Sequence, residues 1–178
     1  MARGRARPRR RRSSWVLGLL ALVVAAGVVW WWVALHRPSD VEVFFVRFDA
    51  SHHKGSLTVV RRPAPGGSVE GRLDAALRAL LAGPGTRDLV TEIPPGTALL
   101  GVRVEGSTAI VNFSKTYASG GGSTSMLARV WQVVYTATQF PATPAVQILI
   151  EGRRVEALGG EGVAIGSPLR RPVSPPSF

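Results

Sequence analysis

The sequence predicts an α+β domain, a two-layer sandwich in which two helices cover one face of a mostly antiparallel sheet, preceded by one transmembrane helix. Five short stretches rich in β-branched and aromatic residues alternate with two stretches whose apolar residues recur every three to four positions. Their order along the chain is β-β-α-β-β-α-β. Each helix has a single apolar stripe, so both are expected to lie on the same side of one sheet.

A basic head, residues 1–14, precedes a long apolar segment, residues 15–35. The head contains seven arginines and no acid, and the next 21 residues carry no charge. As a helix, that segment spans about 31 Å, close to the roughly 30 Å hydrocarbon core of a bilayer. Because basic residues stay on the cytoplasmic side, we expect the head inside and everything after His36 outside the cytoplasm.

A cleaved secretory signal is the alternative for the same segment, since Ala25, Ala26 and Gly27 are small enough for a signal peptidase. The apolar run continues to Leu35, however, which is longer than the usual 7 to about 15 residues of a signal. Three tryptophans at residues 30–32 also suit a membrane interface, where aromatic rings anchor a helix. These features favour an uncleaved anchor.

The remainder of the chain is long enough for one domain with its own core. We divide it into a spacer (residues 36–40), the domain (residues 41–169) and a Pro-rich tail (residues 170–178) that has little to pack. Seven of the 22 basic residues lie in the head, so 15 face 11 acids elsewhere, a net charge of +4. No basic run is interleaved with aromatic residues, so nucleic acid is not an expected partner. Cysteine is absent, which excludes disulfides and thiolate chemistry.

Two strands and one helix are predicted in the first half of the domain. Residues 41–48 and 57–61 have strand composition and are separated by a polar turn, so they are expected to form a hairpin. Ser68 is placed to cap a helix, and Gly83, followed by Pro84, ends it. The apolar stripe of this helix consists of Leu73, Ala76, Leu77, Leu80 and Leu81.

Three strands and a second helix are predicted in the other half. Residues 99–105 and 108–113 flank a two-residue loop that is typical of a hairpin. A helix is predicted over residues 123–139 and a last buried strand over residues 146–150. The stripe of this helix consists of Leu127, Val130, Trp131, Val134 and Thr138. We expect both stripes to be core, and we place two arginines on solvent faces, Arg78 and Arg129.

Seven short segments, taken in order, resemble a known domain family. They are LLAGP (80–84), IPPGT (93–97), GVRV (101–104), AIVNFS (109–114), GGS (121–123), VYTATQFP (134–141) and VQILIEG (146–152). Together they resemble the GerMN domain, which is named for bacterial sporulation and spore-germination proteins and lies outside the membrane. The resemblance covers nearly all of residues 41–169. The chain departs from the family at Asn112, where an acid is usual.

The resemblance implies an interaction or assembly module of the bacterial cell envelope, held at the cytoplasmic membrane by residues 15–35. The implied partners are the lipid bilayer, an envelope protein or peptidoglycan, and a second copy of the chain. The family transfers no catalytic residue and no cofactor, so the expectation is that the chain is not an enzyme. A link to sporulation, germination or cell-wall processes comes from the resemblance alone.

Other chemistry has weak support in the residues. Asp49, His52 and His53 have the elements of a metal site. Adjacent histidines in a polar turn rarely bind one ion unless a third ligand lies nearby, so a solvated turn is favoured and no metal is expected. An enzyme of unfamiliar type acting on cell-wall glycan would need converging carboxylates. The glutamates are scattered in connectors and turns, at Glu92, Glu105, Glu151, Glu156 and Glu161. A small-ligand pocket between sheet and helices is the remaining alternative.

Two segments are candidates for an interaction patch. Arg153 and Arg154 follow the last strand, and a loop containing Gly120, Gly121 and Gly122 precedes the second helix. The loop lacks the lysine of a phosphate-binding loop, so it is expected to cap the helix and not to hold an anion. Neither segment has a clear core role, so both are expected to be exposed.

Overall fold

A computed structural model describes residues 13–35, 39–49, 54–159, 162–174 and 176–178. At residues 13, 14, 16, 17, 34 and 35 the description covers the backbone alone. The chain divides into two compact units, with the boundary after Arg37.

The first unit contains one helix, α1 (Ser13–Leu35). Over the described residues, no helix qualifies as both long and apolar enough to span a membrane. Most of the basic head and the first part of the spacer, residues 1–12 and 36–38, lie outside the described residues.

The second unit has the predicted order of strands and helices. Its elements are β1 (Ser39–Asp49), β2 (Lys54–Ala64), α2 (Val69–Ala82), β3 (Leu99–Glu105), β4 (Thr108–Phe113), a 3₁₀ helix (Lys115–Ala118), α3 (Ser123–Ala137) and β5 (Ala145–Ile150). Both hairpins form, β1 with β2 and β3 with β4. One apolar cluster joins β1, β4 and β5 with α2 and α3. The α+β class is therefore confirmed.

The strands form two sheets, so the prediction of one sheet was wrong. One sheet contains β1 and β2, and the other has the order β3-β4-β5. The pairing of β4 with β5 is parallel, while the other two pairings are antiparallel. The helices connect the sheets: α2 packs on β1, β2 and β3, and α3 packs on β1 and β5. One edge of β1 pairs with β2. In a single sheet the other edge would pair with another strand, but here it lies next to α3.

Side chains of α3 take the place of that strand by bonding to the backbone of β1. Gln132 Nε2 donates to the carbonyl of Phe44 (3.1 Å), and Thr136 Oγ1 accepts from the Phe44 amide (3.1 Å). The amide group of Gln139 pairs with both backbone groups of Glu42, at 2.7 and 2.8 Å. The edge of β1 is thus satisfied without a neighbouring strand over this stretch.

Helix α2 begins and ends as predicted. Ser68 Oγ accepts from the amide of Gly71 at 3.1 Å, which satisfies one of the free amides of the first turn. Gly83 follows the helix with φ of +89°, a value that favours glycine. The buried residues are Leu73, Ala76, Leu77 and Leu80. Arg78 is exposed and pairs with Asp74 at 2.7 Å, as expected for a solvent face.

Helix α3 is buried on more sides than one stripe predicts. Arg129, expected on a solvent face, is only 2% exposed, so that prediction was wrong. Trp131, expected in the core, is partly buried and packs edge-on against Tyr135, with ring centroids 6.4 Å apart. The difference arises because the loop before α3 covers one side of the helix and β1 covers another.

The tail makes several contacts, so the expectation that it has little to pack was wrong. Leu169 exchanges two backbone hydrogen bonds with Val146 of β5, each 2.8 Å long. Arg171 lies over the ring of Tyr135, with its guanidinium carbon 4.9 Å from the centroid. Phe178 exchanges two backbone hydrogen bonds with Gly55 of β2, at 2.9 and 3.1 Å. Leu169 is the last residue of the predicted domain, whereas Arg171 and Phe178 show that the tail itself contacts α3 and β2.

Candidate interaction surface

The glycine-rich loop between the 3₁₀ helix and α3 is exposed, as predicted. Gly120 and Gly121 have φ of +62° and +84°, values that side chains rarely adopt. A Cβ atom on Gly121 would lie 2.8 Å from Ser125 Oγ and 3.0 Å from Arg129 Nη2. At Gly121, a side chain would therefore crowd Ser125 and Arg129 as well as strain the backbone.

Arg129 reaches this loop from inside the domain. Its Nη1 donates to the carbonyls of Tyr117 (2.6 Å) and Ser119 (3.1 Å), and its Nη2 donates to the carbonyl of Gly120 (3.0 Å). Its Nε donates to the carbonyl of Glu92 at 3.0 Å. One side chain thus holds the end of the 3₁₀ helix, the loop and the connector that contains Glu92.

Burial dominates the electrostatics of this cluster. Desolvation lowers the pKa of Arg129, while nearby Tyr117 and Glu92 act in the opposite direction. Desolvation also raises the pKa of the Tyr117 phenol, with the Arg129 charge opposing it. The Tyr117 ring stacks on Phe113 at 4.5 Å between centroids. The guanidinium remains charged at neutral pH, because arginine is not deprotonated in proteins, and it is solvated by carbonyl oxygens.

Three shallow clefts meet around the first turn of α3. One, of about 340 Å³, lies between residues 91–95 and 119–121, with Arg129 at its wall. A second, of about 320 Å³, lies between the first turn of α3 and the rings of Phe48 and Phe178. A third, of about 360 Å³, is lined by Ser123, Thr124, Leu127, Gly162 and Val163. We call residues 119–125 with these three clefts the loop surface.

Glu92 links two of the clefts. Its Oε2 accepts from Ser125 Oγ at 2.6 Å, and its backbone amide donates to Gln132 Oε1 at 2.9 Å. Among the described residues that line the three clefts, Glu92 is the one carboxylate. A glycosidase needs two carboxyl groups on opposite sides of the scissile bond. In the part of the loop surface that the structure describes, there are binding groups but no such pair of carboxyl groups.

The other glutamates do not converge on this surface. Glu105 pairs with Arg103 at 2.5 Å on β3. Glu151 Oε1 accepts from the backbone amide of Lys115 at 2.8 Å. Glu161 lies outside the described residues. In the described part of the chain, these glutamates lie apart from one another, as the sequence predicted.

The arginine pair lies in a different place. Arg153 and Arg154 are exposed after β5, and the backbone of Arg153 pairs with Ile150 through two hydrogen bonds of 2.9 Å. The intervening turn is held by Asn112, whose Oδ1 accepts from the amide of Gly152 at 2.7 Å. An aspartate at this position could accept the same bond through a carboxylate oxygen. Neither arginine lines the three clefts.

The metal hypothesis concerns residues at the end of β1. Asp49 is the last residue of that strand, while His52 and His53 lie outside the described residues. Elsewhere in the described ranges, no three potential metal ligands come together.

Sequence reasoning missed the contribution of Arg129, Glu92 and Phe48 to the loop surface. One signal was present: Arg129 is the single charged residue of α3 and lies directly between Ala128 and Val130. A lone charge within an apolar run is rarely buried without partners. That pattern pointed to a buried polar contact, whereas Glu92 and Phe48 become neighbours only through the fold.

Comparisons with known proteins agree with this fold. The family model described as Germane, sporulation and spore germination, matches residues 42–156. The sequence has no match among curated proteins. A structure from Clostridium perfringens, classed as a lipoprotein, is 23% identical with a TM-score of 0.55, covering 75% of this chain and 88% of that one.

Two further structures come from the sporulation protein GerM of Bacillus subtilis. Its first GerMN domain is 20% identical with a TM-score of 0.56, covering 75% of this chain and 98% of that one. Its tandem GerMN domains are 15% identical with a TM-score of 0.60, covering 76% of this chain and 46% of that one. The chain therefore spans less than half of the tandem structure. At these identities the likeness concerns the fold.

Proposed function

Because the chain belongs to the Germane family, whose description is sporulation and spore germination, we propose that it is an interaction or assembly module of the bacterial cell envelope. The module acts by surface contact with another envelope component, a protein or peptidoglycan. The family description makes sporulation, germination and cell-wall assembly the processes in which that component is sought. The family assignment itself confirms the resemblance seen in the sequence.

The observation that carries the proposal is the loop surface. Three adjoining clefts around one helix end offer concave, mixed polar and apolar walls, the form that binding sites commonly take. Their apolar walls include the exposed ring of Phe48 and the side chain of Leu127. The loop surface is therefore a stronger candidate for the contact region than the isolated arginine pair at residues 153 and 154.

The absence of catalysis is part of the proposal. Among the described residues of the loop surface, Glu92 is the one side-chain carboxylate and its oxygen accepts from Ser125, so this part of the surface offers no second acid for glycan hydrolysis. The chain has no cysteine nucleophile. Turnover of purified peptidoglycan by the chain would contradict this part of the proposal.

We further propose that α1 anchors the chain, with the arginine head inside the cytoplasm and the domain outside. The uncharged segment from residue 15 to 35 and the seven arginines before it support this orientation. A cysteine at Ser107, which lies in the exposed turn between β3 and β4, would be the single thiol of the chain. An impermeant thiol reagent should label it in intact or outer-membrane-permeabilised cells. Labelling only after the cytoplasmic membrane is broken would refute the orientation.

Site-specific photo-crosslinking tests the contact surface. A photoreactive residue is placed in the full chain at Ser119 in the loop, at Arg154 after β5, or at Arg78 on α2, all of which are exposed. We expect Ser119 to capture an envelope component that Arg78, the control, does not capture. Identical adducts at Ser119 and Arg78, or none at Ser119, would contradict the proposal. Capture at Arg154 alone would move the contact to the arginine pair.

A further inference from the structure

We propose that Arg129 is the positioning residue of the loop surface: its buried guanidinium sets the conformation in which the glycine-rich loop meets its partner. The proposal rests on the proposed function for the identity of the surface. The positioning itself is a property of the chain alone and is tested separately below.

The four hydrogen bonds of Arg129 fix the glycine-rich loop relative to α3. Four of the five N–H donors of Arg129 point to carbonyls from two parts of the chain: Glu92 in the connector, and Tyr117, Ser119 and Gly120 in the segment before α3. A guanidinium is planar, so its donors have fixed relative directions. Four acceptors around one plane therefore determine where the loop lies relative to α3 and to the connector.

The second argument is that the loop has few other restraints. Ser119 bonds to the carbonyl of Thr116 through its amide (3.0 Å) and its hydroxyl (2.7 Å), which belongs to the end of the 3₁₀ helix. Gly122, the N-cap of α3, has no side chain to cap the helix. The positive φ values of Gly120 and Gly121 belong to the residue type with the greatest backbone freedom. Without Arg129, we expect this segment to sample several conformations.

The third argument concerns why a charge is buried here. Burying a guanidinium carries a large desolvation penalty, and apolar residues of similar volume often stabilise a fold equally well. The four described acceptors of Arg129 are all backbone carbonyls, and none of them is a carboxylate. A stability role alone does not require this arrangement. A role in presenting the loop accounts for the arrangement, because a loop that is already ordered loses little conformational entropy when its partner binds.

Spin labelling tests the positioning directly. The chain contains no cysteine, so Ser119→Cys with a nitroxide label reports on the loop alone in the full chain, purified in detergent micelles. We expect a restricted spectrum in the parent and a mobile one in Arg129→Met, with unchanged circular dichroism. Arg129→Lys should also be mobile, since an ammonium keeps the charge but not the planar fork. Arg171→Met, which removes another arginine that donates to a backbone carbonyl of α3, at Tyr135, but lies outside the loop surface, is the matched control and should stay restricted.

Partner capture tests the consequence. With a photoreactive residue at Thr124, which is exposed at the start of α3, the parent chain in cells sets the reference yield. We expect Arg129→Met and Arg129→Lys to reduce the yield by about tenfold, as for a loop that must be ordered on binding. Arg171→Met should remain within about twofold of the parent, because it removes an arginine that lies outside the loop surface and leaves the four bonds of Arg129 intact.

Each outcome decides between the two levels of the proposal. A restricted label in Arg129→Met would overturn the positioning role, and a mobile label with undiminished capture would overturn its importance for contact. If Arg129→Met, Arg129→Lys and Arg129→Gln all fail to fold, Arg129 is a stability residue and the proposal is refuted. If the parent captures nothing, the proposed function fails while the spin label still reports on positioning.

Discussion

Replacement of Gln132 by leucine should destabilise the domain severely, although the side chain keeps its size. Gln132 is fully buried, accepts from the amide of Glu92 at 2.9 Å and donates to the carbonyl of Phe44 at 3.1 Å. Leucine leaves both backbone groups without this partner. An unsatisfied buried polar group costs about 1–3 kcal/mol, so two cost about 2–6 kcal/mol in the free energy of unfolding. Since domains are commonly stable by about 5–15 kcal/mol, this is a large fraction.

Urea unfolding of the full chain in detergent micelles, followed by circular dichroism, measures the effect. With a slope of about 1–3 kcal/mol per molar urea, the midpoint should fall by about 1–2 M. Gln147→Leu is the matched control, because Gln147 is equally buried but its Oε1 has no partner among the described residues. Removing that unsatisfied oxygen offsets the loss of the bonds made by Nε2. A midpoint shift for Gln147→Leu as large as that for Gln132→Leu would refute the reasoning.

Three further predictions concern single side chains. Burial raises the pKa of the Tyr117 phenol above the value near 10 of an unfolded tyrosine. The contribution of this group to stability is therefore present below about pH 10 and is lost as the pH rises further. Thermal melts of Tyr117→Phe should show a smaller loss of stability at alkaline pH than melts of the parent. Leu77→Ala should cost about 2–5 kcal/mol, more than Trp131→Ala, because Leu77 is fully buried while Trp131 is not; equal or reversed urea midpoints would contradict this order. Asn112→Ala should cost about 1 kcal/mol by removing the acceptor for the amide of Gly152, while Asn112→Asp should stay close to the parent; an equal loss in both variants would show that the bond is not the reason.

Local pattern was sufficient for most elements of the fold. Strands β3 and β4 are predicted at their observed bounds because a two-residue loop sets the register of a hairpin. The stripe of α2 is buried because one face of an isolated amphipathic helix meets the core. Pairing between distant strands has no comparable local signal. The separation into two sheets and the parallel pairing of β4 with β5 therefore could not be read from periodicity.

The candidate site was predicted in part. The glycine-rich loop is exposed and adjoins the clefts, and the arginine pair is exposed but lies elsewhere. Arg129 was misplaced because helical periodicity treats every arginine as polar surface, and only three-dimensional carbonyl positions show that its donors are satisfied inside. Phe48 and Phe178 meet across 130 positions of sequence, a proximity that composition cannot reveal.

The hydrogen bonds between β1 and the α3 region also affect how the chain folds while it is being synthesised. The hydrogen bonds between the backbone of Glu42 and Phe44 and the side chains of Gln132, Thr136 and Gln139 join residues 88 to 97 positions apart. Chains are synthesised N-terminus first at about 5–20 residues per second, so the hairpin, complete at Ala64, waits roughly 3–15 seconds before residues 132–139 are made. During that interval its edge is open to wrong strands and available to a chaperone. The yield of folded chain should therefore depend on how quickly residues 132–139 follow the hairpin.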